Sequence, residues 1–126
     1  MQDSDFLKCA VDQFNAAEYY ACHDTLEALW TEALDPERRF YQGLLQAAVA
    51  YYHLERGNWR GAVLLLGESI AKLEDYCPTF AHLNVEALVE ENQQNLTQLQ
   101  NLGPDQLSAL TESPRPLWHW RPHESD

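Results

Sequence analysis

Asp35-Pro36-Glu37-Arg38-Arg39-Phe40-Tyr41-Gln42-Gly43-Leu44-Leu45-Gln46-Ala47-Ala48-Val49-Ala50-Tyr51-Tyr52-His53-Leu54 decides the fold. Its first three residues are a helix start. Asp35 can accept from orphan backbone N–H groups, Pro36 suits the first helical position, and Glu37 suits the positive end of the helix dipole. From Phe40 to Leu54 the stretch carries no formal charge and is apolar nearly all round. A helix of that kind is the buried centre of a bundle. It is predicted to run to about Arg56.

Reading outward, the chain is helix after helix. Asp3 or Ser4 is predicted to cap a first helix to about Ala17, with Phe6, Ala10 and Phe14 on its inner face. A second helix runs from Tyr19 or Tyr20 to Leu34 on a stripe of Cys22, Leu26, Leu29 and Ala33. Gly57-Asn58 closes the central helix and caps a fourth, predicted over Trp59 to Tyr76 and stopped by Pro78. Asn84 caps a fifth, Val85 to Leu102, and Gly103-Pro104 leads into a short sixth near Asp105 to Thr111. Beyond Ser113, Pro114, Pro116 and Pro122 forbid a regular helix. No sustained apolar/polar alternation marks a strand. The expectation is an all-α single-domain bundle of five to six helices over residues 1–112, with an extended tail over 113–126 that carries Trp118 and Trp120. That tail is expected to dock on the chain's own body; the alternative is a partner-binding or exchanging arm. Glu18-Tyr19-Tyr20-Ala21-Cys22 and Asn58-Trp59-Arg60-Gly61-Ala62 share an aromatic-x-small-small opening, a local turn preference like that of tetratricopeptide hairpins.

Composition narrows the function. The 126 residues carry 20 Asp+Glu against 8 Lys+Arg, a net charge of −12, which argues against nucleic acid and anionic membranes as partners. No run of about 20 apolar residues is present to span a membrane. The acidic start Met1-Gln2-Asp3-Ser4-Asp5 is unlike a signal peptide, so a cytoplasmic location is expected. Cys9, Cys22 and Cys77 are odd in number and form no CxxC pair, so they read as buried thiols. His82, His119 and His123 read as solvated in loop or tail.

Chemistry concentrates on two helices. His23, Glu27 and Trp30 fall within roughly a 60° arc of the second helix, beside its apolar stripe. Arg39, Gln42, Gln46 and His53 fall within a similar arc of the third. Antiparallel packing of the two helices would bring these lines together inside the bundle. Three readings of such a cluster stand side by side. It can be a structural network that fixes helix register. It can hold a divalent metal ion through His23, Glu27 and His53, leaving an open position for water. It can be a small-molecule or peptide pocket, with Arg39 holding an anion and Trp30 as an apolar wall. Cys22 and His23 are adjacent in sequence, so they point about 100° apart and do not form a nucleophile–base pair.

Phe14-Asn15-x-x-Glu18-Tyr19-Tyr20-x-x-His23-Asp24-x-Leu26-Glu27-x-x-Trp30, then Arg39-Phe40-Tyr41-Gln42-Gly43-Leu44-Leu45-Gln46-Ala47-Ala48, then His53-x-x-x-Gly57-Asn58-x-x-Gly61-Ala62 resemble, in order, three signatures of domain-of-unknown-function family 309. The resemblance covers residues 5–77 and, more weakly, extends to Leu102. It implies a small all-α bundle-like prokaryotic protein of unestablished function, in a family for which a metal-dependent hydrolase activity has been predicted. Its motif positions fall here on His23, Glu27, Trp30, Arg39, Gln42, Gly43, Gln46 and His53, with Gly43 allowing close approach of a neighbour. The reading adopted is a non-catalytic module that binds a small molecule or a protein. The alternative is a metal-dependent hydrolase using the same cluster. A homodimer is compatible with the alanine-rich third helix, though burial within one chain explains that helix equally well.

Overall fold

The computed structural model describes residues 2–106 and 114–121. Five helices account for most of it: α1 Asp3–Asn15, α2 Tyr19–Glu32, α3 Glu37–Glu55, α4 Trp59–Leu73 and α5 Val85–Leu102. The all-α expectation holds. No helix among these residues is long and apolar enough to cross a membrane.

α3 is the axis. It buries Phe40, Tyr41, Leu44, Ala47, Ala48, Ala50 and Tyr51 between α2 on one flank and α4 on the other. Its start is close to expectation, with the Asp35 carboxylate accepting from the Arg39 backbone N–H at 3.1 Å. The approach of α4 is close at Gly43. A Cβ placed there would stand 2.7 Å from the Leu73 side chain, and the Ser69 hydroxyl donates to the Gly43 carbonyl at 2.7 Å. The predicted role of this glycine is therefore met by α4.

Caps fix the other boundaries. Asn58 accepts from the Gly61 N–H and Asn84 from the Ala87 N–H, each through its side-chain oxygen, as read from sequence. The cap of α1 is Gln2, ahead of the expected Asp3 or Ser4, because Gln2 and Asp5 form a reciprocal capping box. α1 buries Leu7, Ala10, Val11 and Phe14, while Phe6 is only partly covered. A spacing of three and four, rather than strict fours, keeps these residues on one line. α4 ends in a 3-10 turn, Glu74–Tyr76, whose Tyr76 hydroxyl donates to the Pro36 carbonyl at 2.7 Å.

The α1–α2 and α3–α4 turns share one hydrogen-bond pattern. Glu18 N–H bonds the Gln13 carbonyl at 2.9 Å, and Asn58 N–H bonds the His53 carbonyl at 2.8 Å. The residue before each, Ala17 or Gly57, is left-handed with φ of +61° or +75°. The shared aromatic opening thus marks a shared turn.

Two further features depart from expectation. A short antiparallel hairpin, β1 Thr79–Phe80 with β2 Leu83–Asn84, turns through Ala81 and His82 at positive φ. Strands of two residues are too short to show alternation. The second departure concerns the cysteines: Cys22 is buried, but Cys9 and Cys77 are exposed. Cys9 sits on the outward side of α1, and Cys77 lies in the link between the 3-10 turn and β1. His82 is exposed as expected, and so is His119. The predicted helix beyond Gln106, the boundary near residue 112, and His123 lie outside the described residues.

The tail joins the body. Residues 114–121 run extended across α1, α5 and the hairpin, and Trp118 is 2% exposed. Its indole stacks on Phe14 at 3.9 Å and 8°. Asn15 clasps its backbone in both directions, donating to the Trp118 carbonyl at 2.9 Å and accepting from its N–H at 2.7 Å. Trp120 bridges Leu83 and stays 39% exposed, whereas Trp118 is buried.

Two outcomes test this packing. Trp118→Ala is expected to cost about 3–5 kcal/mol in chemical denaturation, and a loss below about 1 kcal/mol would refute the core role of Trp118. Ala17→Gly is expected to raise stability by about 0.5–1 kcal/mol, since glycine carries no left-handed penalty but costs some unfolded-state entropy. An unchanged or lower melting temperature would contradict the shared-turn account.

Candidate functional site

Gln42, Leu45, Gln46 and Val49 are spaced three, four and seven apart, so they form one face of α3. That face floors a groove of about 250 Å³, walled by Trp30 of α2 and Leu65 of α4. No charged side chain is among these six. Gln46 is 9% exposed. Its Nε2 donates to the Glu68 carboxylate at 3.0 Å, which turns its Oε1 the other way. Oε1 of Gln46 and Nε1–H of Trp30 are both shielded from water, and neither finds a hydrogen-bond partner among the described residues. Two residues that line the groove therefore carry one unsatisfied acceptor and one unsatisfied donor, both covered, each costing about 1–3 kcal/mol. Asn92 and Trp118 also carry a shielded N–H without a partner, but both lie among the packed residues of the α1–α5 side.

The two polar lines do not close into one buried cluster. Trp30, Gln42 and Gln46 come together. His23 and Glu27 pair with each other, Nε2 to Oε2 at 3.2 Å, with Glu27 54% exposed. His23 Nδ1 also meets Asp24 at 3.2 Å. His53 turns to Asn58, Nδ1 to Nδ2 at 3.3 Å, beside the α3–α4 turn. Arg39 leaves the group altogether and faces Asp75 at 3.8 Å, both largely exposed. Exposed pairs of this kind contribute little. The expectation that Arg39 holds an anion in the pocket is therefore corrected. The cation beside Trp30 is Arg38, whose guanidinium lies 4.5 Å from the indole centroid. One residue of error in phase at a helix start rotates a side chain by about 100°.

Among the described residues no group of three His, Cys, Asp or Glu side chains is placed to hold a metal ion. His23 and Glu27 supply two donors, and His53 is engaged elsewhere. A broader depression of about 530 Å³ lies between α1 and α2, where Asp3, Asp24, Glu27 and Glu32 present carboxylates. Burial pushes the Cys22 thiol far above its ordinary value, so it is no thiolate nucleophile. Desolvation raises Cys77 as well, helped by Glu86 and Glu74.

Sequence reasoning missed Leu45, Val49, Leu65 and Glu68. Leu45 and Val49 had a signal, since they share the heptad-like face of Gln42 and Gln46. Leu65 and Glu68 had none, because their pairing depends on the roll of α4.

Residues 7–65 match the model of a family described as a domain of unknown function (DUF309). The chain is 41% identical over 66 residues to the uncharacterized protein YpuF of Bacillus subtilis (strain 168), covering 49% of this chain and 37% of that protein. It is 24% identical over 94 residues to an uncharacterized protein of Aquifex aeolicus (strain VF5), covering 71% of this chain and 28% of that one. The chain thus spans well under half the length of these curated relatives. No solved structure matches it. The matched stretch runs from α1 into α4 and holds all six groove residues, whereas α5 and the tail lie beyond it. The match to DUF309 over residues 7–65 spans all three of the sequence signatures that resemble that family.

Proposed function

We propose that this domain is a non-catalytic binding module and that the α2–α3–α4 groove is its site. One observation carries the reading: two residues that line the same neutral groove, Trp30 and Gln46, carry a covered donor, Nε1–H, and a covered acceptor, Oε1, that are both left unpaired among the described residues. Buried polar groups are ordinarily satisfied. A floor that served packing alone would be cheaper with leucine at position 46. Apolar walls with a few convergent polar atoms are the usual make-up of a small-molecule site. The groove is smaller than the usual pocket range of about 300–1,000 Å³, which suits a fragment-sized ligand or one side group of a larger partner.

The rival reading is a metal-dependent hydrolase, favoured by the His23–Glu27 contact. A working zinc centre takes three protein ligands, and here two are assembled.

The test is a fragment screen followed on the Trp30 indole N–H resonance, assigned by its loss in Trp30→Phe. Binding fragments are expected to shift that resonance and to lose about tenfold or more in affinity in Gln42→Leu, a difference of about 1.4 kcal/mol. Fragments that bind parent and variant alike would overturn the reading. So would stoichiometric metal in protein purified without chelator, lost in a folded His23→Ala chain.

A further inference from the structure

Resting on that assignment of the groove, we infer that its ligand is neutral and presents an acceptor beside a donor, as a carboxamide or lactam does. The inference follows from which atoms are left unpaired. Trp30 Nε1–H can only donate, so it requires an acceptor. Gln46 has its Nε2 committed to Glu68, so only its carbonyl is free, and that oxygen requires a donor.

Charged ligands each fail one half of this demand. A carboxylate satisfies the indole but brings no proton to Gln46 Oε1, and sets oxygen against oxygen. An ammonium satisfies Gln46 but offers nothing to the indole N–H. Charge in the surroundings points the same way. The six lining residues are neutral. Two ionic groups, one of each sign, touch the lining: the Glu68 carboxylate on Gln46 and the Arg38 guanidinium on Trp30. The whole chain, at −12, repels anions at long range.

An amide carries the donor and the acceptor on two different atoms, and the groove carries their complements on two different helices. Half-buried Gln42, four residues before Gln46 on the same face, adds an amide that can serve either way. Both unpaired atoms are shielded from water, so a ligand that pairs with them must displace the atoms that cover them. Rejection of a mismatched analogue is then strong, because it leaves buried polar groups without partners.

Four probes share one ring and differ only in the head group: benzamide, benzoate, benzylamine and benzyl alcohol. Each is titrated against the full chain, and the Trp30 indole N–H resonance is followed. Benzamide is expected to shift it saturably, about tenfold tighter than the other three. In Gln46→Leu, checked for folding by circular dichroism, benzamide is expected to lose that advantage. Gln46→Met serves as the second variant should the leucine chain not fold. If benzoate, benzylamine or benzyl alcohol binds as well as benzamide, the ligand class is wrong while the groove stands. If none of the four moves the Trp30 resonance and fragments of other chemistry do, the class is again wrong. If no compound moves it, the groove assignment itself falls.

Discussion

Burial of α3 is the constraint on which the rest depends. A helix without formal charge from Phe40 to Leu54 cannot remain in water, so it must be covered on several sides. α2 and α4 provide that cover, and Gly43 sets how near α4 can come. Ser69 completes the contact by bonding the Gly43 carbonyl. α1 then packs on α2, α5 packs on α4, and the extended segment around Trp118 closes the Phe14 side. Each later element covers apolar surface left by the one before it.

The groove follows from the same constraint. Two flanking helices pack against a third and leave a trough over the face between them. In this trough the face is Gln42, Leu45, Gln46 and Val49, walled by Trp30 and Leu65. Two glutamines on the floor of an otherwise apolar trough run against the packing logic of the fold. Local departures of this sort concentrate at functional positions, where stability is given up for recognition. The opposite side of the bundle shows the contrast. There Tyr51 donates to Asn92 at 2.7 Å and accepts from Asn95 at 2.9 Å, a network that links α3 to α5, although Asn92 Nδ2 and Trp118 Nε1 lack partners among the described residues.

Much of this was legible in the sequence for identifiable reasons. The caps at Asn58 and Asn84 and the uncharged run of α3 are local signals, and all three were borne out. The polar line of Gln42 and Gln46 was also visible, because both residues sit on one helix and share its period. What could not be read was relative rotation between helices. Whether Arg38 or Arg39 reaches Trp30 depends on the roll of α3 at its first turn. Whether His53 meets His23 or Asn58 depends on the α3–α4 turn. The hairpin at 79–84 escaped because its turn uses Ala81 and His82 at positive φ, where glycine or asparagine is the usual marker.

The measurement that bears most directly on the account is the thermal stability of Gln46→Met. If Gln46 is retained for recognition, methionine of similar length fills the site without an unpaired carbonyl. Glu68, exposed, regains water in place of its lost donor. The account predicts a melting temperature equal to or above that of the parent. A loss of about 1–3 kcal/mol on a par with breaking a buried hydrogen-bond network would contradict it. Gln46 would then be a structural residue, and the groove a consequence of packing.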